Sequence, residues 1–133
     1  MLFKKRKKKI TVGFSPGDKY LAQIEKGETI DFKKMAVMIE KATTVSKGDA
    51  LNVLDAMSST SLWMLQEGHP VKFDGLGQFT PKAKVKAVDT PEEVTEETIE
   101  NIGIRYTPTV ELKSLMKSVS IRILPLDEET PEP

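Results

Sequence analysis

The alternation of apolar and polar residues predicts short strands at the start of the chain. Alternate residues of segment 19–26 are apolar, a pattern typical of a half-buried strand. Segment 10–14 alternates more loosely and ends at a Ser-Pro-Gly-Asp turn signal. We therefore predict an N-terminal hairpin from these two segments.

Two helices are predicted next. Apolar residues between positions 32 and 42 recur at helical spacing after Asp31, a favourable N-cap. Ser46 is the predicted cap of a longer helix that runs to about Glu67 and ends at Gly68. Its apolar residues cover more than one side, which a single small chain cannot bury, so we predict a homodimer. The predicted interface comprises Leu51, Leu54, Met57, Leu62, Trp63, Leu65, Phe73 and Phe79.

The second half of the chain predicts mainly strands. Strands at 69–74 and 78–88 flank a Gly-Leu-Gly turn, and segment 89–101 has the composition of an acidic loop or hairpin tip. A returning strand at 102–106, a short helix at 110–119 and a last strand at 120–124 complete the order β-β-α-α-β-β-β-α-β. The predicted fold class is α+β.

The charges cancel in total but are unevenly distributed. The chain has 20 Lys and Arg residues against 20 Asp and Glu. Residues 1–9 carry six positive charges, residues 89–104 carry six negative charges, and residues 127–133 add four negatives. The remainder is mildly basic. Zero net charge argues against coating nucleic acid by charge alone, but this objection does not apply to the folded body.

Composition and spacing exclude several classes of protein. Without cysteine there is no disulfide scaffold, thiol nucleophile or cysteine zinc site. No apolar run approaches the roughly 20 residues that cross a bilayer, and segment 10–18 is too polar for a signal peptide, so we expect a cytoplasmic protein. The single histidine, His69, has no nearby acid or nucleophile. We predict no enzyme, small-molecule substrate, cofactor or metal site.

The order of elements and one local motif resemble the bacterial HU/IHF histone-like family. The motif is Gly-Leu-Gly-Gln-Phe at 75–79, preceded by Val-Lys-Phe at 71–73, and the resemblance covers about residues 29–119. The KYLAQ strand and the closing strand are more similar to an HU-like branch of Bacteroides-type bacteria. The resemblance implies an intertwined dimer with two N-terminal helices, a three-stranded sheet with a protruding β-arm at about 82–104, a short C-terminal helix and extra terminal strands.

The resemblance also implies how DNA would be held. Family members embrace the minor groove with a two-stranded arm, and a proline at its tip wedges between base steps. Pro91 is the possible wedge, although the arm here is shorter. The predicted DNA-binding residues are Lys82, Lys84 and Lys86 on the ascending strand, Arg105 on the descending strand, and Lys4, Lys5, Arg6, Lys7, Lys8 and Lys9 near the N-terminus.

Several alternatives remain open at this stage. Residues 1–9 are expected to form a basic tail that binds DNA, aids solubility or pairs with acidic segments, before an HU-like domain at 10–124 and an acidic, Pro-rich tail at 125–133. The alternative to phosphate contact for Lys82, Lys84 and Lys86 is that they form a solvated strand face or protect a strand edge against aggregation. The first functional hypothesis is a nucleoid-associated protein that bends or bridges DNA with little sequence specificity. The alternative is an HU-like protein-interaction module whose acidic arm has lost DNA binding.

Overall fold

The computed structural model describes residues 1–13 and 17–126, and its elements follow the predicted α+β order. The chain divides into two compact units, one formed by Ile30–Met116 and the other by the segments on either side of it. In chain order the elements are β1 (Leu2–Ile10), β2 (Gly17–Ile24), α1 (Phe32–Ala42), α2 (Lys47–Gln66), β3 (Val71–Phe73), β4 (Gly77–Val85), β5 (Ile99–Pro108), α3 (Val110–Lys117) and β6 (Arg122–Ile123).

Both predicted N-caps are confirmed. The backbone N–H of Lys34 donates to Oδ1 of Asp31 at 3.0 Å, and that of Asp49 donates to Oγ of Ser46 at 3.1 Å. Each bond satisfies one of the backbone donors that the first turn of a helix leaves free. The caps fix where α1 and α2 begin.

The end of α2 is set by Gly68. Its φ of +90° lies in the left-handed region, which glycine adopts without steric cost. The N–H of Gly68 donates to the carbonyl of Leu65, and the N–H of His69 donates to that of Met64, both at 3.0 Å. These two bonds form a Schellman motif, which stops the helix and starts the approach to β3.

The helices bury little within one chain. Among the described residues, the buried apolar side chains are Ala36, with 0% exposure, and Ala50, with 3%. Large apolar residues of α2 stay in solvent, and Leu62 is 67% and Trp63 61% exposed. An exposed apolar surface of this kind is unusual for a monomer.

The unit Ile30–Met116 contains an antiparallel sheet in the order β3-β4-β5. Phe79 of β4 pairs with Val71 of β3 and with Tyr106 of β5, so these residues lie on one face. The Phe79 ring contacts Phe73 edge-on, with centroids 5.7 Å apart, and Tyr106 at 5.1 Å. The aromatic cluster therefore marks the apolar face of the sheet.

The turn at 75–77 is tied to the start of α3. The Tyr106 hydroxyl donates to the Leu76 carbonyl at 3.0 Å, and the Thr109 hydroxyl donates to the Gly75 carbonyl at 3.0 Å. Thr109 also accepts from the N–H of Leu112 at 3.1 Å and so caps α3. These bonds hold the corner where β4, β5 and α3 meet.

The second sheet corrects the prediction for the N-terminus. Residues 1–9 do not form a tail, because Leu2–Ile10 is a strand in a sheet of order β2-β1-β6. The hairpin exists, but its first strand precedes the predicted segment 10–14. Positions 14–16 and most of the predicted acidic tail, residues 127–133, lie outside the described residues.

Candidate nucleic-acid interface

The polar face of the β3-β4-β5 sheet brings together basic residues from all three strands. Side chains alternate between the faces of a strand, and paired residues of neighbouring strands share a face. Lys82 and Lys84 therefore lie on the face opposite the aromatic cluster, together with Arg105, whose partner is Thr80. We call this surface the basic face; its members are Lys72, Gln78, Thr80, Lys82, Lys84, Asn101, Gly103, Arg105 and Thr107.

Lys72 belongs to the basic face, but it was not among the DNA-binding residues predicted from the sequence. It pairs with Gln78 across β3 and β4 and is exposed. Its position between Val71 and Phe73, which are partly buried, is the signal that could have found it, because alternation puts it on the opposite face. The basic face thus extends from the arm onto the body of the sheet.

Exposure along β4 changes at Lys82. The residues of β4 up to Pro81 are buried or half-buried, whereas those from Lys82 to Val85 are exposed. On β5, Ile102 is 71% exposed. The arm predicted at about 82–104 stays a prediction.

Glu100 reduces the positive charge of the arm. Nζ of Lys84 lies 3.5 Å from Oε2 of Glu100, and the register shifts by one residue between Lys84 and Val85. Such a bulge changes the direction of a strand. Both side chains are well exposed, so the pair is weak and phosphate can compete with it.

Lys86 lies just beyond the end of β4. Its backbone N–H donates to the Thr98 carbonyl at 2.8 Å, which continues the pairing of the arm for one more residue. Its side chain is exposed. The predicted DNA-binding role of Lys86 therefore stays a prediction.

The tip of the arm consists of two single turns of 3₁₀ helix, Pro91–Glu93 and Glu96–Thr98. Pro91 begins the first turn and is exposed, as a wedge residue must be. The Thr90 hydroxyl donates to Oε1 of Glu93 at 3.1 Å. The acidic residues of the tip are all exposed, and they surround Pro91 with negative charge.

The N-terminal basic residues lie in the other compact unit, on β1. Two of them pair with acids of the same hairpin region. Nζ of Lys4 lies 3.4 Å from Oε2 of Glu25, and Nζ of Lys7 lies 3.1 Å from Oδ2 of Asp18. The hydrogen bond that Lys7 donates to Asp18, followed by the charges of Asp18 and Tyr20, raises the pKa of Lys7 above its ordinary 10.5. Lys5, Arg6, Lys8 and Lys9 are exposed on the same strand.

The residues predicted for the dimer interface are all at least partly accessible in the single chain. Leu62, Trp63 and Met57 are exposed, and the remaining five are half-buried: Leu51, Leu54, Leu65, Phe73 and Phe79. None of the eight is fully buried by its own chain, which leaves these side chains available to a partner.

Between residues 1–13 and 17–126, no group of three or more His, Asp or Glu side chains could hold a metal ion. In the same part of the chain, no helix combines the length and apolar character needed to cross a bilayer.

Comparison with known proteins agrees with this geometry. A family model described as an HU domain fused to wHTH, Ig, or glycine-rich motif, HU-HIG, matches residues 2–122. Among solved structures, the fold is similar to that of a Bacteroides vulgatus ATCC 8482 protein whose description proposes bacterial DNA binding. The TM-score is 0.60 at 17% identity, over 92% of this chain and 48% of that chain. No curated protein matches the chain.

These likenesses differ in what they show. At 17% identity the solved neighbour shows the fold alone, and this chain spans about half of that neighbour's length. The family model covers both sheets and all three helices, including the Gly-Leu-Gly-Gln-Phe turn that carried the resemblance. The chain therefore belongs to the HU-HIG family of HU domains.

Proposed function

We propose that the protein is a dimeric, nucleoid-associated DNA-binding protein that bends or bridges DNA with little sequence specificity. The observation that carries this proposal is the strand register, which places Lys72, Lys82, Lys84 and Arg105 on one face of one sheet. The HU-like family and the neighbour described as DNA-binding support it. We propose no enzymatic activity for the protein, and we propose that it acts on the chromosome in the cytoplasm.

Recognition through this face is expected to be electrostatic. Lysine and arginine on an exposed strand contact phosphates, which fix the position of a protein on DNA but carry no sequence information. The face also carries Gln78, Thr80 and Thr107, whose polar side chains can donate hydrogen bonds to phosphate oxygens. Affinity should therefore fall steeply with salt and vary little with DNA sequence.

The dimer is supported by what one chain leaves uncovered. α2 exposes Leu62 and Trp63, and the described part of the chain buries only two alanines fully among its apolar residues. Burial of apolar area contributes about 25 cal/mol per Å². A second copy packed against α2 would thus supply the core that this chain lacks, and it would place two basic faces in one assembly.

The acidic tip changes how DNA can be held. Glu92, Glu93, Glu96 and Glu97 are exposed beside Pro91, and each repels the phosphate backbone. The positive residues lie nearer the body, from Lys72 to Lys84. We therefore propose that DNA lies on the sheet and the base of the arms. Pro91 would then contribute less to DNA binding than a wedge residue at a basic tip.

The same acids support the second candidate function, an HU-like module that binds protein and has lost DNA binding. The observation in its favour is the exposed negative charge of Glu92, Glu93, Glu96 and Glu97 at the tip, to which the weak Lys84–Glu100 ion pair adds. Under this alternative the tip acids would recognise a basic partner protein. The two functions differ in whether duplex DNA binds at all.

A mobility-shift experiment with duplex DNA at low salt separates them. The test variant is Lys82→Gln with Lys84→Gln. The matched control is Lys33→Gln with Lys41→Gln, which removes the same charge from exposed residues of α1. We expect the wild type and control to retard DNA at similar protein concentrations, and the test variant to need at least fivefold more protein.

Absence of a shift for wild type at micromolar protein and low salt would contradict DNA binding and favour the protein-interaction module. Equal weakening in the test and control variants would show attraction by total charge, and would contradict the role of the basic face.

A further inference from the structure

The β1–β2 hairpin is a separate basic ribbon in the smaller compact unit. β6 pairs with β1 only at Leu2 and Phe3, so from Lys4 onward the described hairpin consists of two strands. All described side chains of β2, and those of β1 from Lys5 to Lys9, are exposed. A two-stranded ribbon is narrow enough to enter the major groove of DNA.

The two faces of this ribbon differ in their acids. One face carries Lys5, Lys7, Lys9 and Asp18, and there Asp18 pairs with Lys7. The other carries Arg6, Lys8 and Lys19, and its one described acid, Glu25, lies at the opposite end and pairs with Lys4. We call the surface formed by Arg6, Lys8 and Lys19 the ribbon face.

The ribbon face contains an unfavourable pair. Lys8 lies directly opposite Lys19 in the register, and like charges at directly opposed positions destabilise a sheet. Neither lysine forms an ion pair with an acid among the described residues. A phosphate group between the two ammonium groups would turn this repulsion into attraction.

We propose that the ribbon face is a second site for the phosphate backbone of duplex DNA, distinct from the basic face of the β3-β4-β5 sheet. Each subunit then carries two DNA-binding surfaces on two compact units. A molecule built in this way can bridge two duplexes. The bridging part rests on the proposed function, because the basic face must hold the other duplex.

The experiment measures bridging separately from binding. A biotinylated duplex is fixed to beads, the full-length protein is added, and capture of a second, fluorescent duplex is recorded. A mobility shift of a single short duplex is measured in parallel. The test variant is Arg6→Gln with Lys8→Gln, and the control is Lys5→Gln with Lys9→Gln, which removes equal charge from the opposite face of the same strand.

We expect the test variant to lose at least fivefold in capture of the second duplex, while its single-duplex affinity stays within about threefold of wild type. The control should keep more than half of the wild-type capture. The variant Lys19→Gln removes a positive charge of the ribbon face from the other strand, so it should also lower capture of the second duplex. Since it also removes the repulsion with Lys8, the hairpin should stay folded, and circular dichroism checks this.

Four outcomes would overturn the proposal. The first is unchanged capture in the test variant, and the second is an equal loss of capture in the test and control variants. The third is a wild-type protein that binds one duplex without capturing a second. The fourth is a wild-type protein that binds anionic phosphatidylglycerol vesicles but captures no duplex. The third leaves DNA binding at the sheet intact. If instead Lys82→Gln with Lys84→Gln leaves single-duplex binding unchanged while Arg6→Gln with Lys8→Gln abolishes it, the sheet proposal fails together with bridging.

Discussion

Gly77 lies at a corner of the sheet where the space for a side chain is already filled. A Cβ atom built there would stand 2.6 Å from the backbone carbonyl oxygen of Thr107, and it would also overlap the ring of Tyr106. Because the carbonyl belongs to the paired strand β5, it cannot move without disturbing the ladder. Glycine at this position therefore allows β4 and β5 to pair up to this corner of the sheet.

We expect Gly77→Ala to lower the free energy of unfolding by about 1–3 kcal/mol, the usual range for overpacking. Gly48→Ala is the matched control, because nothing lies within 4 Å of its Cβ position in α2. The control should be neutral or stabilise by up to about 1 kcal/mol. Urea denaturation of both variants measures the difference, and equal stability would contradict the tight corner.

The pKa of Lys7 offers a test of the Lys7–Asp18 ion pair in the hairpin. Asp18 raises the pKa of Lys7 in the folded state, so the ion pair's contribution to stability is complete below pH 10.5. It is lost as the pH rises through the raised pKa, because the folded protein then releases the proton that the pair had held. The effect on overall stability is small, since the pair is exposed.

The Asp18→Asn variant should return the pKa of Lys7 toward its ordinary value. An NMR titration that follows the Lys7 side-chain signals in wild type and variant measures this change directly. An unchanged Lys7 pKa in the variant would show that Asp18 does not pair with it in solution.

At the scale of elements, the helices were predictable and the first strand was not. The helices carry local signals. Asp31 and Ser46 cap their starts, and the backbone hydrogen bonds from Gly68 and His69 end α2. β1 contains six consecutive basic residues and therefore lacks the alternation that identifies a strand. Its formation depends on pairing with β2 and β6, which no local pattern reveals.

The basic face was partly predictable for the same reason. Lys82 and Lys84 alternate visibly on one strand, whereas Arg105 joins them only through the register of β4 with β5. The family resemblance had already suggested Arg105 as the counterpart on the descending strand. Lys72 could have been recovered from its apolar neighbours, but its place beside Gln78 needed the structure.

The arm tip gives an element-scale prediction. In the variant Glu92→Gln with Glu93→Gln, two exposed charges beside Pro91 no longer repel phosphate. Exposed charges contribute roughly 0.2–1 kcal/mol each, so we expect the loss of two of them to raise DNA affinity about twofold to thirtyfold at low salt. Fluorescence anisotropy of a labelled duplex measures the gain. Unchanged or weaker binding would mean that the tip does not approach the DNA.

The whole molecule is expected to be a dimer, and its mass in solution tests this. We expect sedimentation equilibrium to give twice the 14.8 kDa mass of one chain. Leu62→Asp should shift the mass toward the monomer, because Leu62 is 67% exposed in the single chain and its substitution costs little there. Trp63, the only tryptophan, should show a red-shifted emission in the same variant. A wild-type mass of 14.8 kDa at micromolar concentrations would contradict the dimer.

If duplex DNA lies on the basic face, the lysines of that face must contribute to the salt dependence of binding. Each phosphate contact contributes about 0.9 to the slope of log K against log salt, so Lys82→Gln with Lys84→Gln should reduce the slope by about 1.8 for each basic face that contacts the duplex. The measurement is anisotropy of one labelled duplex across a salt series for both proteins. We expect a shallower slope for the variant, whereas equal slopes, or no binding by wild type at low salt, would contradict DNA binding at the basic face.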